Sequence, residues 1–297
     1  MFRRMMVGAA LAATLLLATR ATAADAHFDS DGVKIHYVIE GEGEPVILVH
    51  GYTANIQAQW GNPRILQKLA ENYRVIALDN RGHGQSDKPH DVESYGPEMA
   101  NDVIRLMDHL KLDKAHVVGY SMGAFITSYL VNNFPDRVIT ATLGGAGWAK
   151  ADDQEGNSFV MALAESLEEG KGVGPLIDRL TPEGQPKPDA QQIEFVNRMI
   201  LSSNDPKALA ACIRGLLKLT VTEKQLRANR VPTLALIGSI DPLKRGVDEM
   251  DGVMSNLRIV VIPGADHMTA FTRARFIEEL KGFLAAEHGA ATAAGGN

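Results

Sequence analysis

One cysteine, Cys212, occurs in 297 residues. A single thiol excludes an intramolecular disulfide framework, so stability must come from apolar burial. Its neighbours Leu209, Ala210, Ala211 and Ile213 read as a buried helix position. Basic residues are fewer than acidic ones, 30 against 36, for a formal charge of -6. That balance argues against a nucleic-acid partner, which takes a basic surface patch. After residue 18, no stretch approaches the roughly 20 apolar residues of a membrane-spanning helix. No metal-ligand cluster or dinucleotide-binding fingerprint is visible, so neither a metal nor another cofactor is expected.

What is present begins with Met1-Phe2-Arg3-Arg4, the Ala/Leu-rich run Met5 to Ala18, and Ala21-Thr22-Ala23. Charge, apolar segment and small-x-small site match a secretory signal, residues 1–23. The mature chain is therefore expected to be exported, periplasmic or secreted, without a stable membrane anchor. A retained anchor is the alternative, and Arg3-Arg4 leaves twin-arginine export open beside the general route. No cysteine near the cleavage point offers a site for lipid attachment. Removal of Arg3, Arg4 and Arg20 would move the charge from -6 to -9. Roughly 274 residues remain, enough for one large core with an inserted subdomain. Nothing in the pattern specifies an oligomeric state.

His27 to Ser30 and Val33 to Glu40 read as two strands joined at Asp31-Gly32, a hairpin turn. Val46 to Val49, Val75 to Leu78, Ala115 to Val118 and Val138 to Leu143 are continuous apolar runs, as parallel strands covered on both faces require. Helical segments alternate with them at Pro63 to Ala70, Pro97 to Leu110 and Met122 to Asn133, the prolines falling where a first turn tolerates them. Between residues 146 and 230 the alternation pauses. Phe159 to Leu167, Gln191 to Leu201 and Ala208 to Leu219 have helical periodicity there, and Thr181 to Pro188 reads as a loop. Thr233 to Ile237 and Leu257 to Ile262 then supply two more parallel strands, and Thr272 to Glu287 a terminal helix. The fold class is α/β. Residues 24–145 and 231–288 form its core, 146–230 a helical insert, and 289–297 a frayed tail.

Gly119-Tyr120-Ser121-Met122-Gly123 lies between an apolar strand and a helix. In a Gly-x-Ser-x-Gly turn the serine takes a strained conformation, and the glycines leave room where side chains would collide. The pentapeptide alone also fits an ordinary glycine-lined turn, so its partners decide. A serine hydroxyl needs a base within hydrogen-bond reach and an acid orienting that base. His267 follows the Leu257 to Ile262 strand, and Asp241 follows Thr233 to Ile237. Loops after the carboxyl ends of parallel strands line one crevice, so Ser121, Asp241 and His267 can converge. Asp248, Glu249 and Asp251 lie further from the strand end, on an expected helix. Asp266 adjoins the histidine and would point elsewhere.

The developing oxyanion requires backbone donors. Met122 N–H follows the nucleophile, and His50-Gly51-Tyr52 places Tyr52 N–H as the second. His50 is read as structural. Trp148, Phe159, Met161, Phe195 and Met199 of the insert either line an acyl pocket or pack the insert on the core.

His50-Gly51, the loop Asp79-Asn80-Arg81-Gly82-His83-Gly84-Gln85-Ser86, the Ser121 turn, Gly238 to Asp241 and Gly264 to His267 together resemble the α/β-hydrolase superfamily over the whole mature chain. The resemblance implies a mostly parallel eight-stranded sheet flanked by helices, with a helical cap over the active site. The Arg81 and His83 loop is similar to that of capped members and implies an architectural role. Epoxide hydrolases and haloalkane dehalogenases place aspartate at the elbow, where this chain has Ser121. Carbon–carbon hydrolases carry tryptophan after the catalytic histidine, where this chain has Met268. The resemblance thus implies a serine hydrolase with a small-molecule ester substrate. A carbon–carbon hydrolase, a cofactor-free haloperoxidase or perhydrolase, and a non-turnover ligand receptor remain as alternatives.

Overall fold

A computed structural model describes residues 24–294. The expected export signal lies outside these residues, as do the last three residues of the expected tail. Eight strands follow in chain order: β1 (Ala24–Ser30), β2 (Val33–Glu40), β3 (Pro45–Val49), β4 (Arg74–Leu78), β5 (Ala115–Tyr120), β6 (Val138–Gly144), β7 (Thr233–Gly238) and β8 (Leu257–Ile262). They form one sheet ordered β1-β2-β4-β3-β5-β6-β7-β8. The first hairpin and the β2/β4 pair are antiparallel; every pairing from β4 to β8 is parallel. Asp31 and Gly32 turn the hairpin with φ of 57° and 80°, the left-handed pair that a two-residue connection uses.

The continuous apolar strands are explained by cover on both faces. On β3, Ile47 and Val49 pack with Val103 and Leu106 of α2 (Pro97–His109) and with Ile126 and Leu130 of α3 (Met122–Asn133). Val46 and Leu48, one residue out of phase, pack with Leu66 and Leu69 of α1 (Ile65–Leu69). Phe276 and Leu280 of the terminal helix join that second layer. Each such side chain contributes about 1.5–3 kcal/mol by leaving water.

The insert contains α4 (Gln154–Glu168), α5 (Gly174–Leu180), α6 (Ala190–Leu201), α7 (Pro206–Gly215) and α8 (Glu223–Ala228). A short α9 (Lys244–Asp248) follows β7, and α10 (Ala274–Ala294) ends the described chain. Two of these helices were not expected. Helix α5 is hidden behind Gly170 and Gly172 and itself starts at Gly174, whereas α8 carries a readable signal, the Thr222/Gln225 capping box. Near the expected Pro63 helix, Arg64 adopts φ 61° and breaks the helical path. A π-helical turn, Gln57–Gly61, precedes that break and α1 follows it. Helix α10 runs past the expected end at Glu287 into the Ala-rich residues, where helix propensity is highest.

Two buried polar clusters hold the loops that converge beside β3. The Arg81 guanidinium donates to both Asp102 carboxylate oxygens at 2.7 Å and to the Ser94 carbonyl, while Ser30 Oγ donates to Asp102 at 2.5 Å. This ties the turn after β4 to α2 and to the end of β1. Removing Asp102 strands a buried guanidinium, so Asp102→Ala should destabilise the protein by about 3–5 kcal/mol. A denaturant midpoint unchanged from wild type would contradict that role.

In the second cluster, His36 is 3% exposed, and its ring nitrogens lie 2.7 Å from Asp79 and 2.7 Å from Asp25. Burial opposes its protonation, but the hydrogen bonds to these two carboxylates outweigh burial and raise its pKa above 6.5. Asp79 is likewise opposed by burial, but its hydrogen bonds to His36 and to the Gln85 and Ile56 amides hold its pKa below the usual value. The imidazolium contribution is complete below pH 6.5 and is lost as pH rises through the raised value; the Asp79 contribution is lost in acid as pH falls through its depressed value. Melting temperature should therefore decline from pH 6 toward pH 9, and His36→Asn should flatten that decline while lowering the value at pH 6. Parallel wild-type and variant curves over this range would rule the cluster out as the cause.

Candidate active site

β5 ends where Ser121 begins a different backbone path, with φ 55° and ψ -117°. This is a sparsely populated region for a residue with a Cβ, and the surroundings must enforce it. Ser121 N–H donates to the Gly144 carbonyl at the end of β6 (2.7 Å), and the Ser121 carbonyl accepts from Ala124 N–H (2.8 Å) in the first turn of α3. The flanking glycines are required by close approach. A Cβ on Gly119 would overlap the Gly123 carbonyl, and one on Gly123 would overlap the Val49 carbonyl at the end of β3. The strand-to-helix turn is thus pressed against the neighbouring strand, and the Ser121 side chain is left facing the carboxyl ends of the sheet.

His267 Nε2 lies 2.9 Å from Ser121 Oγ. Its Nδ1 lies 3.0 and 3.2 Å from the two Asp241 carboxylate oxygens. The tautomer that satisfies both contacts carries its proton on Nδ1, so Ser121 Oγ–H donates to Nε2 and Nδ1–H donates to Asp241. Both the histidine and the aspartate are buried, at 3% and 4% exposure, which keeps water from competing for these bonds. Asp241 Oδ1 also accepts from Leu243 N–H at 2.8 Å, and Tyr120 Oη donates to the His267 carbonyl at 2.6 Å. These two supports were not expected. An Asp-Pro turn signal was present for the first; no local pattern marked the second.

Three of the other acids are engaged elsewhere, and Asp251 is exposed. Asp248 pairs with Lys244, and Glu249 with Arg245 and Lys150. Asp266 accepts from the Met268 and Thr269 amides, so it closes its own turn beside the histidine.

Gly51 brings the loop after β3 onto the nucleophile: a Cβ there would lie 3.2 Å from Ser121 Cβ. The next amide is Tyr52 N–H, and across the site Met122 N–H opens α3. Among the described residues neither amide has a protein acceptor, as expected of donors kept for a ligand. His50 holds this loop from behind. Its Nδ1–H donates to the Gly51 carbonyl at 2.8 Å, and its Nε2 accepts from Asn80 N–H at 3.0 Å. Burial lowers its pKa and keeps the ring neutral. His83 packs edge-on against both His50 and Tyr52, and burial lowers its pKa to about 3.

The insert residues separate into two groups. Phe195, Met199 and Met161 are exposed at 63%, 56% and 43% and touch solvent rather than the core. Trp148 donates through Nε1 to the Val221 carbonyl (2.6 Å) and packs near Met250 and Leu226. Phe159 packs with the insert's own apolar cluster and borders a shallow surface cleft of about 530 Å³ that reaches Pro242, next to Asp241.

Residues 44–171 match a family model described as the alpha/beta hydrolase fold. A thermophilic esterase from Thermogutta terrifontis superposes with a TM-score of 0.73 at 27% identity, covering 90% of this chain and 100% of that one. The chain has the α/β-hydrolase fold. Two curated relatives align over part of this chain. One is the dihydrolipoyllysine-residue acetyltransferase component of the acetoin cleaving system of Cupriavidus necator, 38% identical over 41% of this chain and 32% of that protein. The other is a soluble epoxide hydrolase of a Corynebacterium species, 37% identical over 36% of each chain. The matched stretches span only about a third of the length of these curated relatives.

The elbow supplies its own test. Gly123→Ala places a methyl group into the Val49 carbonyl and within 3 Å of the His50 carbonyl. The variant should fold poorly, with a loss above about 3 kcal/mol. Recovery of a protein with wild-type melting temperature would show that β3 and the elbow can separate without penalty.

Proposed function

We propose that this protein is a serine hydrolase that cleaves carboxylic esters of small to medium substrates through an acyl-enzyme. The hydrogen-bonded sequence Ser121–His267–Asp241 at a strained strand-to-helix turn carries the reading. As Ser121 Oγ attacks the ester carbonyl, His267 Nε2 takes its proton, and Asp241 stabilises the imidazolium through Nδ1–H. The carbonyl oxygen gains charge within reach of the Tyr52 and Met122 amides, which meet it without reorganising. His267 then returns the proton to the leaving alkoxide oxygen, and water repeats the cycle in reverse to release the acid.

The similarity to the Thermogutta esterase over the full length of that chain supports the ester reading. The partial similarity to an epoxide hydrolase does not extend to its chemistry here. Epoxide opening requires a carboxylate nucleophile, whose ester intermediate water can cleave; a serine attacking an epoxide carbon would form an ether with no hydrolytic exit.

A p-nitrophenyl ester panel of increasing acyl length tests the proposal. Wild type should turn over repeatedly and be labelled by a fluorophosphonate at Ser121, and Ser121→Ala should lose at least about 10⁴-fold in kcat. Asp241→Asn should keep the fold and lose about 10⁴-fold in kcat, because the histidine then settles in the wrong tautomer. Absence of both ester turnover and labelling in the wild-type protein would refute the proposal.

A further inference from the structure

Helix α7 is buried on two opposed faces. Leu209, Ala210 and Ile213 belong to the apolar cluster of the insert, with Leu163, Leu167 and Val173. Ala211 and Cys212 belong to the cluster of the main sheet, with Met122, Ile126 and Val103. The helix cannot shift relative to either body without opening apolar surface, because both contacts are close-packed. Its amino end is tied at the Asp205 cap, which accepts from the Lys207 and Ala208 amides. Its carboxyl end is locked by shape: a Cβ on Gly215 would overlap Tyr95, and one on Gly96 would lie 2.6 Å from the Gly215 carbonyl.

This fixed helix touches the side chains of both residues whose amides face the reacting carbonyl. Tyr52 Oη donates to the Leu209 carbonyl at 2.8 Å. The Cys212 thiol lies 3.6 Å from Met122 Sδ. Leu209 and Cys212 lie within one turn of each other on α7. The Tyr52 ring is also held from the other side by His83, edge-on at 5.8 Å. The peptide plane that carries the Tyr52 amide is held at its other end, where the Gly51 carbonyl accepts from His50 Nδ1–H at 2.8 Å and from Ala54 N–H at 3.3 Å, and Asn204 Nδ2 donates to the Thr53 carbonyl at 3.2 Å; the phenol contact anchors the same residue from the insert side.

We propose that α7 is the positioning element of the oxyanion hole: the Tyr52 hydroxyl and the Met122 thioether, gripped by the Leu209 carbonyl and Cys212, set the direction of the two backbone donors. Tyr52 thus serves through both ends, its amide toward the substrate and its phenol toward the insert. Any displacement of the insert by substrate reaches the oxyanion donors through these contacts. The inference rests on the acyl-transfer reading above.

Tyr52→Phe keeps the ring and removes only the grip on Leu209. The variant should retain its fold by circular dichroism and lose about tenfold in kcat on p-nitrophenyl butyrate, with KM within about twofold of wild type. Affinity for an alkylboronic acid, whose tetrahedral adduct on Ser121 presents an oxygen to the same donors, should fall by about the same factor as kcat. The pH–rate profile should keep its shape, since Tyr52 touches neither His267 nor Asp241. A folded Tyr52→Phe with wild-type kcat and boronate affinity overturns the inference, as does a rise in KM alone. So does a kcat loss without a matching loss of boronate affinity. If Tyr52→Phe does not fold, Cys212→Ala carries the test from the other contact, with about a threefold loss expected in both readings and equality with wild type counting against it. Wild-type protein lacking ester turnover and fluorophosphonate labelling would sink the proposed function and this inference with it. Wild-type turnover beside an unaltered variant sinks the inference alone.

Discussion

The conformation of Ser121 is the constraint on which the site depends. A side-chain-bearing residue at φ 55° and ψ -117° stores strain of about 1–3 kcal/mol, and three elements hold it there. β6 receives its amide, α3 donates to its carbonyl, and β3 presses on the turn so closely that position 123 accepts only glycine, as position 119 does against the first turn of α3. The apolar burial of β3, β5 and β6 supplies the stability against which this strain is held. Each of these strands is almost wholly covered, so the elbow sits on a fully buried part of the sheet.

Parallel pairing then explains how residues far apart in the chain meet. β5, β6, β7 and β8 run in the same direction, so every connection leaving a strand starts at one edge of the sheet. Ser121, Asp241 and His267 each lie within a few residues of such an end. Distance in sequence, 146 residues between Ser121 and His267, therefore says little about distance in space. The antiparallel β1/β2 hairpin sits at the opposite edge from β8 and serves the site indirectly, through the loop that His36, Asp79 and Arg81 secure.

Much of this was legible in the sequence because the signals were local. Continuous apolar runs at Val46, Val75, Ala115 and Thr233 marked buried strands, and glycines at 119 and 123 marked a turn with no room for side chains. The order Ser121, Asp241, His267 followed from strand ends alone. What escaped reading depended on contacts between distant residues. Nothing near Tyr120 indicates that its hydroxyl supports the His267 carbonyl, and nothing near Tyr52 indicates that its phenol reaches Leu209, 157 residues away. Arg64 in a left-handed conformation was equally invisible, since arginine carries no preference for it; tertiary packing of Trp60 and Ile65 overrides the local tendency to continue a helix. Phe195 and Met199 were misleading in the other direction, apolar residues at helical spacing that the fold leaves in water.

The insert also departs from the picture of a separate lid. It has a small apolar cluster of its own, but α7 belongs as much to the sheet layer as to that cluster. Cys212, fully buried among core residues, is the clearest sign. Burial pushes its thiol pKa up, above the ordinary range, so it remains an uncharged packing group without thiolate reactivity. A detachable cap would present a wet, polar underside to the sheet. Here the underside is apolar and continuous with the core through α7, and Asn204 Nδ2 adds a polar anchor to the Thr53 carbonyl in the loop after β3. Moving α7 would expose core surface at about 25 cal/mol per Å², so the insert is docked on the sheet through this helix rather than hinged over it.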